Sequence, residues 1–273
     1  MMNDEARNRS IFEAISALDL AGKIVFEIGT GAGLTAMYFA RCGAFHVYTC
    51  ENDEQLYAIA VRNIAQNGLS DRITVVNALS TEYIRSSAFN FSPDVVFTET
   101  LDCGVLGEGF ASVARDIASI ARHDTIVLPS RVDQYGFLVS SGEIAALNSV
   151  IPCDEFDLSA INNFSTYSYY PVRYQMYVAQ TLSEVHQLRT YSYRDPIPNL
   201  ATFSLRAYRS GLCHGVVSYF QALFGKSIVT NDVRDVGHWH QAFHPFRVPI
   251  ITSPGESYEL KMYSDGSISL LYE

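Results

Sequence analysis

The chain has 273 residues, 48% hydrophobic and 18% charged, ordinary globular values that exclude extended disorder and low-complexity architecture. Lys and Arg number 19 against 29 Asp and Glu, and the formal charge of −10 argues against broad binding of a nucleic acid backbone and suits a cationic substrate. No stretch reaches the ~20 apolar residues of a membrane helix, and charges interrupt the start where a secretory signal has its apolar region, which predicts a cytoplasmic protein.

In chain order, Ser10 to Leu18 is amphipathic, Lys23 to Ile28 is a short apolar strand, and Leu34 to Cys42 is helical. Phe45 to Cys50 predicts a second strand, Glu54 to Asn67 a helix stopped by Gly68, Ile73 to Val76 a third strand and Asp94 to Thr98 a fourth. Gly109 to Ile120 then reads as helix and Thr125 to Leu128 as strand, with Pro129 as a stop. This alternation is the signature of a parallel sheet flanked by helices, so residues 1–129 are expected to form a Rossmann-like α/β domain.

Beyond Pro129 the pattern changes to short stretches rich in Tyr, Phe, Val and Ser: Asp133 to Ser140, Tyr169 to Thr181, Ala201 to Arg209, Gly215 to Ala222, Pro249 to Ile251, Ser257 to Tyr263 and Ser267 to Tyr272. Residues 130–273 are therefore expected to form an antiparallel, mostly β domain. Gly142 to about Ser168 is too long for a hairpin loop and predicts an excursion of the functional kind.

Val25 to Gly33 reads VFEIGTGAG, a strand entering a glycine-rich turn and then a helix, the context in which glycines bind a nucleotide. Gly29, Gly31 and Gly33 let the backbone approach a ligand, and Glu51, at the end of the second strand, stands where a carboxylate accepts from both ribose hydroxyls. The dinucleotide spacing GxGxxG is absent, and Glu27 would repel a pyrophosphate but can hold an ammonium, which favours S-adenosylmethionine over NAD.

After the fourth strand, TETLDCGVLGEGF places Glu99 and Glu108 nine residues apart on a glycine-containing loop at the carboxyl edge of the sheet. Such a pair can share a proton or grip one planar cation through forked hydrogen bonds. Beside a sulfonium methyl donor the second use has a purpose: a guanidinium is a poor nucleophile, and two carboxylates can hold its charge while one terminal nitrogen faces the methyl.

At this point the chain resembles the protein arginine N-methyltransferase family over nearly its whole length. MMNDEARNRSIF is similar to the family's MLxDxxRNxxY segment, which implies that Arg7 binds the methionine carboxylate of the cofactor. Glu27, Gly29, Gly31, Gly33 and Glu51 match the cofactor motifs, Asn77 with Ser80, Thr81 and Glu82 resembles the adenine-side NxxSTE of the monomethylating (type III) branch, and TETLDCGVLGEG resembles the double-glutamate loop. FDLSAINNF, LSE at Leu182 to Glu184 and GHWHQ at Gly237 to Gln241 look like the dimerisation arm, a following barrel strand and the THW loop, which implies a β-barrel-like substrate domain, a homodimer, and roles for His238 paired with Asp4 and for Trp239 at the substrate. Gly237 replaces the family's Thr, and Phe110 stands where many dimethylating members have Met, so both reshape the substrate slot. The family's YFxxY helix lies upstream of the first segment, so either a more open pocket or a start further upstream is expected.

Metal ligation by His238, His240 and His244 is set aside because no carboxylate or cysteine with ligand spacing accompanies them, although His238 and His240 would share a strand face. Cys42, Cys50, Cys103, Cys153 and Cys213 form no CxxC pair and predict reduced, mostly buried thiols. The tyrosines from Tyr167 to Tyr177, with His46 and Cys50, are assigned to packing. The expected function is S-adenosylmethionine-dependent methylation of the arginine guanidine in a protein, a peptide or the free amino acid, without metal, nucleic acid or membrane. The alternatives are a catalytically silent cofactor-binding scaffold and a methyltransferase with another acceptor.

Overall fold

The computed structural model describes residues 1–150, 156–234 and 237–272. Its first half alternates helix and strand: α1 (Glu5–Ser16), β1 (Ile24–Ile28), α2 (Leu34–Arg41), β2 (His46–Glu51), α3 (Glu54–Gln66), β3 (Ile73–Asn77), α4 (Ser80–Arg85), β4 (Val95–Thr98), α5 (Phe110–Ile120) and β5 (Ile126–Leu128). The strands are all parallel in the order β3-β2-β1-β4-β5. The direction of travel reverses between β1 and β4, and a crevice at such a reversal, beyond the carboxyl ends of the strands, is where open α/β sheets take ligands.

Helix α1 begins at Glu5, earlier than the apolar pattern from Ser10 suggests, because the Asp4 side chain caps it by accepting from the Arg7 amide at 3.0 Å. That extra turn carries Arg7 onto the sheet.

The second half contains β6 (Arg131–Ser140), α6 (Gly142–Ala146), β7 (Tyr170–Val172), β8 (Gln180–Thr181), β9 (His186–Tyr191), β10 (Leu200–Arg206), β11 (Gly211–Phe224), β12 (Ser227–Thr230), β13 (Gln241–Thr252), β14 (Ser257–Tyr263) and β15 (Ile268–Leu270). One antiparallel sheet runs β7-β13-β11-β6-β8, with β12 on β11 and β9 on β6, and a smaller one runs β10-β14-β15. Leu138, Leu188, Phe203, Val216, Phe246 and Leu260 fill the core of this half. The core of the first half continues across the junction, since Val132, Tyr191, Phe220 and Phe224 join Phe97 and Phe110 in one cluster.

The stretch Tyr169 to Thr181, expected as one strand, is divided into β7 and β8 by a 3-10 turn at Tyr174–Met176. Strand β9 has no simple apolar alternation in HQLRTY to mark it in the sequence, and its Arg189 is buried against backbone carbonyls. Strand β12 returns on β11 through Gly225 and Lys226, with Gly225 at φ 61.

The excursion leaves β6 through α6 and returns through a 3-10 turn at Ser159–Phe164. Its two limbs are tied by Asn148, which donates to the Thr166 carbonyl at 2.6 Å and accepts from the Thr166 amide at 2.9 Å, and by Asn162, which does the same with Val150 at 3.0 and 2.7 Å. Its outer surface is apolar, with Phe164 85% and Phe156 71% exposed. Cys42, Cys50, Cys103 and Cys213 are free thiols, Cys50 and Cys213 fully buried, whereas Cys153 lies outside the described residues. His46, expected in the core, is only half-buried and bonds Thr74 on the neighbouring strand at 2.8 Å. No helix among the described residues is long and apolar enough to cross a membrane.

Candidate active site

The glycine turn after β1 is locked to the end of β2. One oxygen of Glu51 accepts from the Gly31 amide at 2.9 Å and the other from the Asp53 amide at 3.0 Å, so the carboxylate is aimed across the turn. Gly33, which caps α2, has φ 86, a left-handed conformation in which a side chain would be strained. Glu27 on β1 is 1% exposed and accepts from the Thr49 hydroxyl at 2.8 Å, while Thr49 bonds Thr30 at 2.6 Å. Burial pushes the Glu27 carboxyl up to about 8, against the Thr49 hydrogen bond and the attraction of Arg7. A nearby cation favours the ionised form of such a buried acid, and Arg7 acts on it in that sense.

Ser80 and Thr81 open α4, but their hydroxyls donate to Asp116 of α5, at 2.6 Å from Ser80 and at 2.8 Å from Thr81. These side chains therefore tie two helices together, and the hydroxyls are committed to that tie.

Arg7 comes down from α1 onto the loop after β4. It is 5% exposed, donates from Nε to Glu99 Oε1 at 2.5 Å, pairs with the second Glu99 oxygen through Nη2, and donates from Nη1 to Asn8 at 2.6 Å. Burial pulls the guanidinium down to about 10, with the Asp4 and Glu27 carboxylates opposing that fall. Glu99 is thus fixed by a forked ion pair.

The loop from Glu99 to Gly109 is shaped from within by Asp102, whose Oδ1 accepts from the amides of Gly104 at 3.1 Å and Gly107 at 2.9 Å. Fully buried Val105 sits at φ 81, a left-handed conformation that costs a β-branched residue energy and is kept only where the surroundings impose it. Part of that surrounding is Tyr169, whose ring covers Gly104 so closely that a Cβ there would run into it, and whose phenol stands beside Asp102. Burial and Asp102 both push that phenol upward, so it remains a hydrogen-bond donor. Glu108, next to the αL residue Gly109 that caps α5, stays open to solvent and makes no hydrogen bond to a described residue. Desolvation, with Asp102 adding to it, shifts its carboxyl upward.

The second half grips the same loop from the other side. Trp239 donates from its indole nitrogen to the Leu101 carbonyl at 3.0 Å, and its ring lies 3.8 Å from that of His238 and edge-on to Phe220 at 5.3 Å. Asn231 donates to the Cys103 carbonyl at 3.2 Å and to the His240 carbonyl at 2.7 Å. His238 reaches Asp4, donating from both its amide and Nδ1 to Asp4 Oδ2 at 2.9 Å. Burial raises the Asp4 carboxyl, but the hydrogen bonds from Arg7 and His238 outweigh it and hold the group at about 2; burial also lowers His238, so the pair is a carboxylate accepting from a neutral imidazole at pH 7. His238 and His240 lie in the segment before β13, not on a shared strand face, and His244 on β13 is buried against Ser218 at 2.8 Å. Among the described residues no group of three metal-ligating side chains forms. Cys103, pushed up to about 12 by burial and Asp102, is an unreactive thiol.

Glu27, Gly31, Gly33 and Glu51 gather at the carboxyl ends of β1 and β2, while Arg7, Glu99, Asp4, His238 and Trp239 form one connected network joining both halves. Tyr169, Asp102 and Asn231 were not anticipated; the Asp-x-Gly spacing was a turn signal for Asp102, whereas nothing local marks the other two. Arg247 stands over the Tyr167 ring at 4.3 Å, so that tyrosine carries a cation instead of packing in the core.

A parallel sheet ordered in this way, with a glycine turn facing an acid on the next strand, defines a class I methyltransferase scaffold. Residues 9–130 match the family described as Ribosomal protein L11 methyltransferase (PrmA). The chain is 34% identical over 267 residues to an Arginine N(omega)-methyltransferase of Streptomyces achromogenes subsp. streptozoticus, covering 96% of this chain and 74% of that protein. It is 30% identical to protein arginine N-methyltransferase 7 of Mus musculus, across 56% of this chain and 23% of that one. In three dimensions it is similar to a Trypanosoma brucei PRMT1 enzyme-prozyme heterotetrameric complex with AdoHcy, at TM-score 0.80 and 19% identity over 96% of this chain and 86% of that one. Protein arginine methyltransferase 10 of Arabidopsis thaliana, in an open conformation, gives TM-score 0.76 at 18% identity, with the same two coverages. The chain belongs to the arginine N-methyltransferase family.

Proposed function

We propose that this protein transfers a methyl group from S-adenosylmethionine to a guanidino nitrogen of arginine. The observation that carries this is the pair of acids at the two ends of one strained, doubly clamped loop: Glu99 fixed by Arg7, and Glu108 left without a partner beside the cofactor crevice. The crevice fits an amino-acid-bearing nucleotide. Glu51 would take ribose hydroxyls, buried Glu27 an ammonium, and Arg7, through the N–H donors left after its bonds to Glu99 and Asn8, a carboxylate, with Gly29, Gly31 and Gly33 letting the backbone come close. When bound, the cofactor supplies an electrophilic sulfonium methyl.

Glu99 and Glu108 hold the substrate guanidinium. Each oxygen of Glu99 keeps a second lone pair after the Arg7 fork is made, and Glu108 contributes a whole carboxylate. Localising positive charge on the contacted nitrogens leaves the remaining terminal nitrogen less delocalised and correctly aligned. Trp239 walls the slot, and the Asp4–His238 pair keeps α1, and hence Arg7, seated over the crevice. The division near residue 129 separates the cofactor half from the half that completes the substrate slot.

The exposed apolar side chains of the excursion, among them Phe156, Ile161 and Phe164, support a homodimer in which this arm covers the sheet domain of a second copy. Free thiols among the described residues support a reducing, cytoplasmic setting. Incubation with methyl-labelled cofactor and an arginine-containing peptide or free arginine, read by mass spectrometry, tests the function. Label on a guanidino nitrogen is the expected result, and label on another acceptor, or none, would refute it.

A further inference from the structure

A cavity of about 470 Å³ opens on the outer side of the Asp4–His238 pair, within the size range of small-molecule sites, on the order of 300–1,000 Å³. Asn3, Asp4, Glu5, Arg173, Gly237 and His238 line it. Besides the amino terminus at Met1, two charged side chains there take no part in the Asp4–His238 pair. Arg173, half-buried at the end of β7, donates to the Gly237 carbonyl at 2.8 Å and to the His238 carbonyl at 3.3 Å, and no described carboxylate pairs with it. Burial, and then the nearby charge of Arg173, lowers His240, which places this cation close to the loop carrying Trp239. Glu5, in the first turn of α1, is exposed and hydrogen-bonded to no described residue. Asp4, by contrast, is fully engaged by Arg7 and His238.

We infer that this cavity is a subsite for the α-amino-acid end of the substrate, with Arg173 receiving an α-carboxylate and Glu5 an α-ammonium, so that the enzyme accepts free arginine. The inference rests on the guanidino methylation proposed above. The cavity is joined to the double-glutamate loop through two intervening side chains: His238 lines the cavity and lies 3.8 Å from the tilted ring of Trp239, and Trp239 is bonded to Leu101, two residues beyond Glu99. In this proposal the guanidinium lies at the glutamates and the backbone end of the arginine reaches the cavity past Trp239 and His238. A residue within a peptide has neither α-charge, and would leave Arg173 and Glu5 facing neutral amides. The guanidinium of Arg173 keeps N–H donors beyond the two used on carbonyls, in the fork geometry that matches a carboxylate.

The test compares kcat/KM for L-arginine, agmatine, which lacks the carboxylate, 5-guanidinopentanoic acid, which lacks the α-amine, and an arginine peptide with blocked termini. The wild type prefers L-arginine. Arg173→Gln lowers the arginine-to-agmatine ratio about 10-fold or more, through KM, and Glu5→Gln lowers the arginine-to-guanidinopentanoate ratio similarly. Because both are ratios within one variant, a general loss from disturbing the loop carbonyls cancels, and exposed Glu5 gives an answer even if Arg173→Gln folds poorly. Unchanged ratios in both variants, or a wild type that methylates only the blocked peptide, would overturn the subsite and leave guanidino methylation standing. Methylation of none of the four would overturn both.

Discussion

Arg7 and Glu99 lie 92 positions apart and meet as a forked, buried ion pair, with side chains 4% and 8% exposed. The contact links the first helix to the double-glutamate loop and sets the orientation of one of its two acids. Removing only one partner leaves a buried charge unpaired, which typically costs about 3–5 kcal/mol. Arg7→Met is expected to destabilise the fold by about that amount, and the double variant with Glu99→Gln by clearly less than the sum of the singles, since it removes both charges. Chemical denaturation of the four proteins measures this, and additive losses would show that the pair is not coupled.

The clasp between α1 and the second half gives a separate expectation. Asp4 caps α1 and accepts two hydrogen bonds from His238. Asp4→Ala is expected to cost about 1–2 kcal/mol from the lost cap, and to raise KM for the cofactor because Arg7 is released. Asp4→Asn keeps an N-cap and should restore most of the stability but not the full cofactor affinity. In stability terms the carboxylate, with its pKa lowered from 3.8 to about 2, contributes fully above pH 3.8 and loses that contribution as pH falls towards 2.

Glu27 is expected to make cofactor binding pH-dependent. Its carboxyl, raised from 4.5 to about 8, binds a proton in the free protein at neutral pH, whereas an ammonium beside it favours the ionised form. Binding should therefore release a proton below pH 8, and affinity should rise from pH 6 to pH 8 and then level off. The stability sign is opposite to that of Asp4: the raised acid binds a proton more tightly in the folded state, so its contribution weakens as pH climbs from 4.5 through 8. Calorimetry in buffers of different ionisation enthalpy reads the released proton; the same enthalpy in every buffer at pH 7 would contradict this role.

Gly104 is predicted to tolerate no side chain. A Cβ there meets the Tyr169 ring, so Gly104→Ala must push the loop or the tyrosine aside. Displacement of a reacting group by about 1 Å can cost on the order of 100-fold in rate, and kcat is expected to fall by about that much with cofactor binding retained. A variant with normal kcat would show that the Tyr169 clamp does not position the acids.

Much of the parallel sheet was legible because β1 and β4 are short, mostly apolar runs, broken only by Glu27 and Thr98 and followed by glycine or acidic loops, a pattern with one common architectural meaning. The second half was harder. Strand β9 uses a buried arginine where a hydrophobic residue would have announced it, and the 3-10 turn at Tyr174–Met176 carries no turn residues. Within the site, the acids, the glycines and Trp239 stood out by type and spacing. Ser80 and Thr81 did so too, yet their hydroxyls are spent on Asp116, a partner from another helix that no local spacing reveals. The same holds for Tyr169 and Asn231, whose importance arises only when the two halves pack together.

The central claim is that two carboxylates on one loop hold a guanidinium for methyl transfer, and Glu108→Gln tests it most directly because Glu108 has no structural partner to lose among the described residues. Single-turnover methylation of L-arginine and of a blocked arginine peptide, with cofactor affinity measured alongside, should show a fall of about 10²–10³ in rate on whichever the wild type uses, while cofactor affinity stays unchanged. A variant that methylates at the wild-type rate, or one that loses only cofactor binding, would contradict the account.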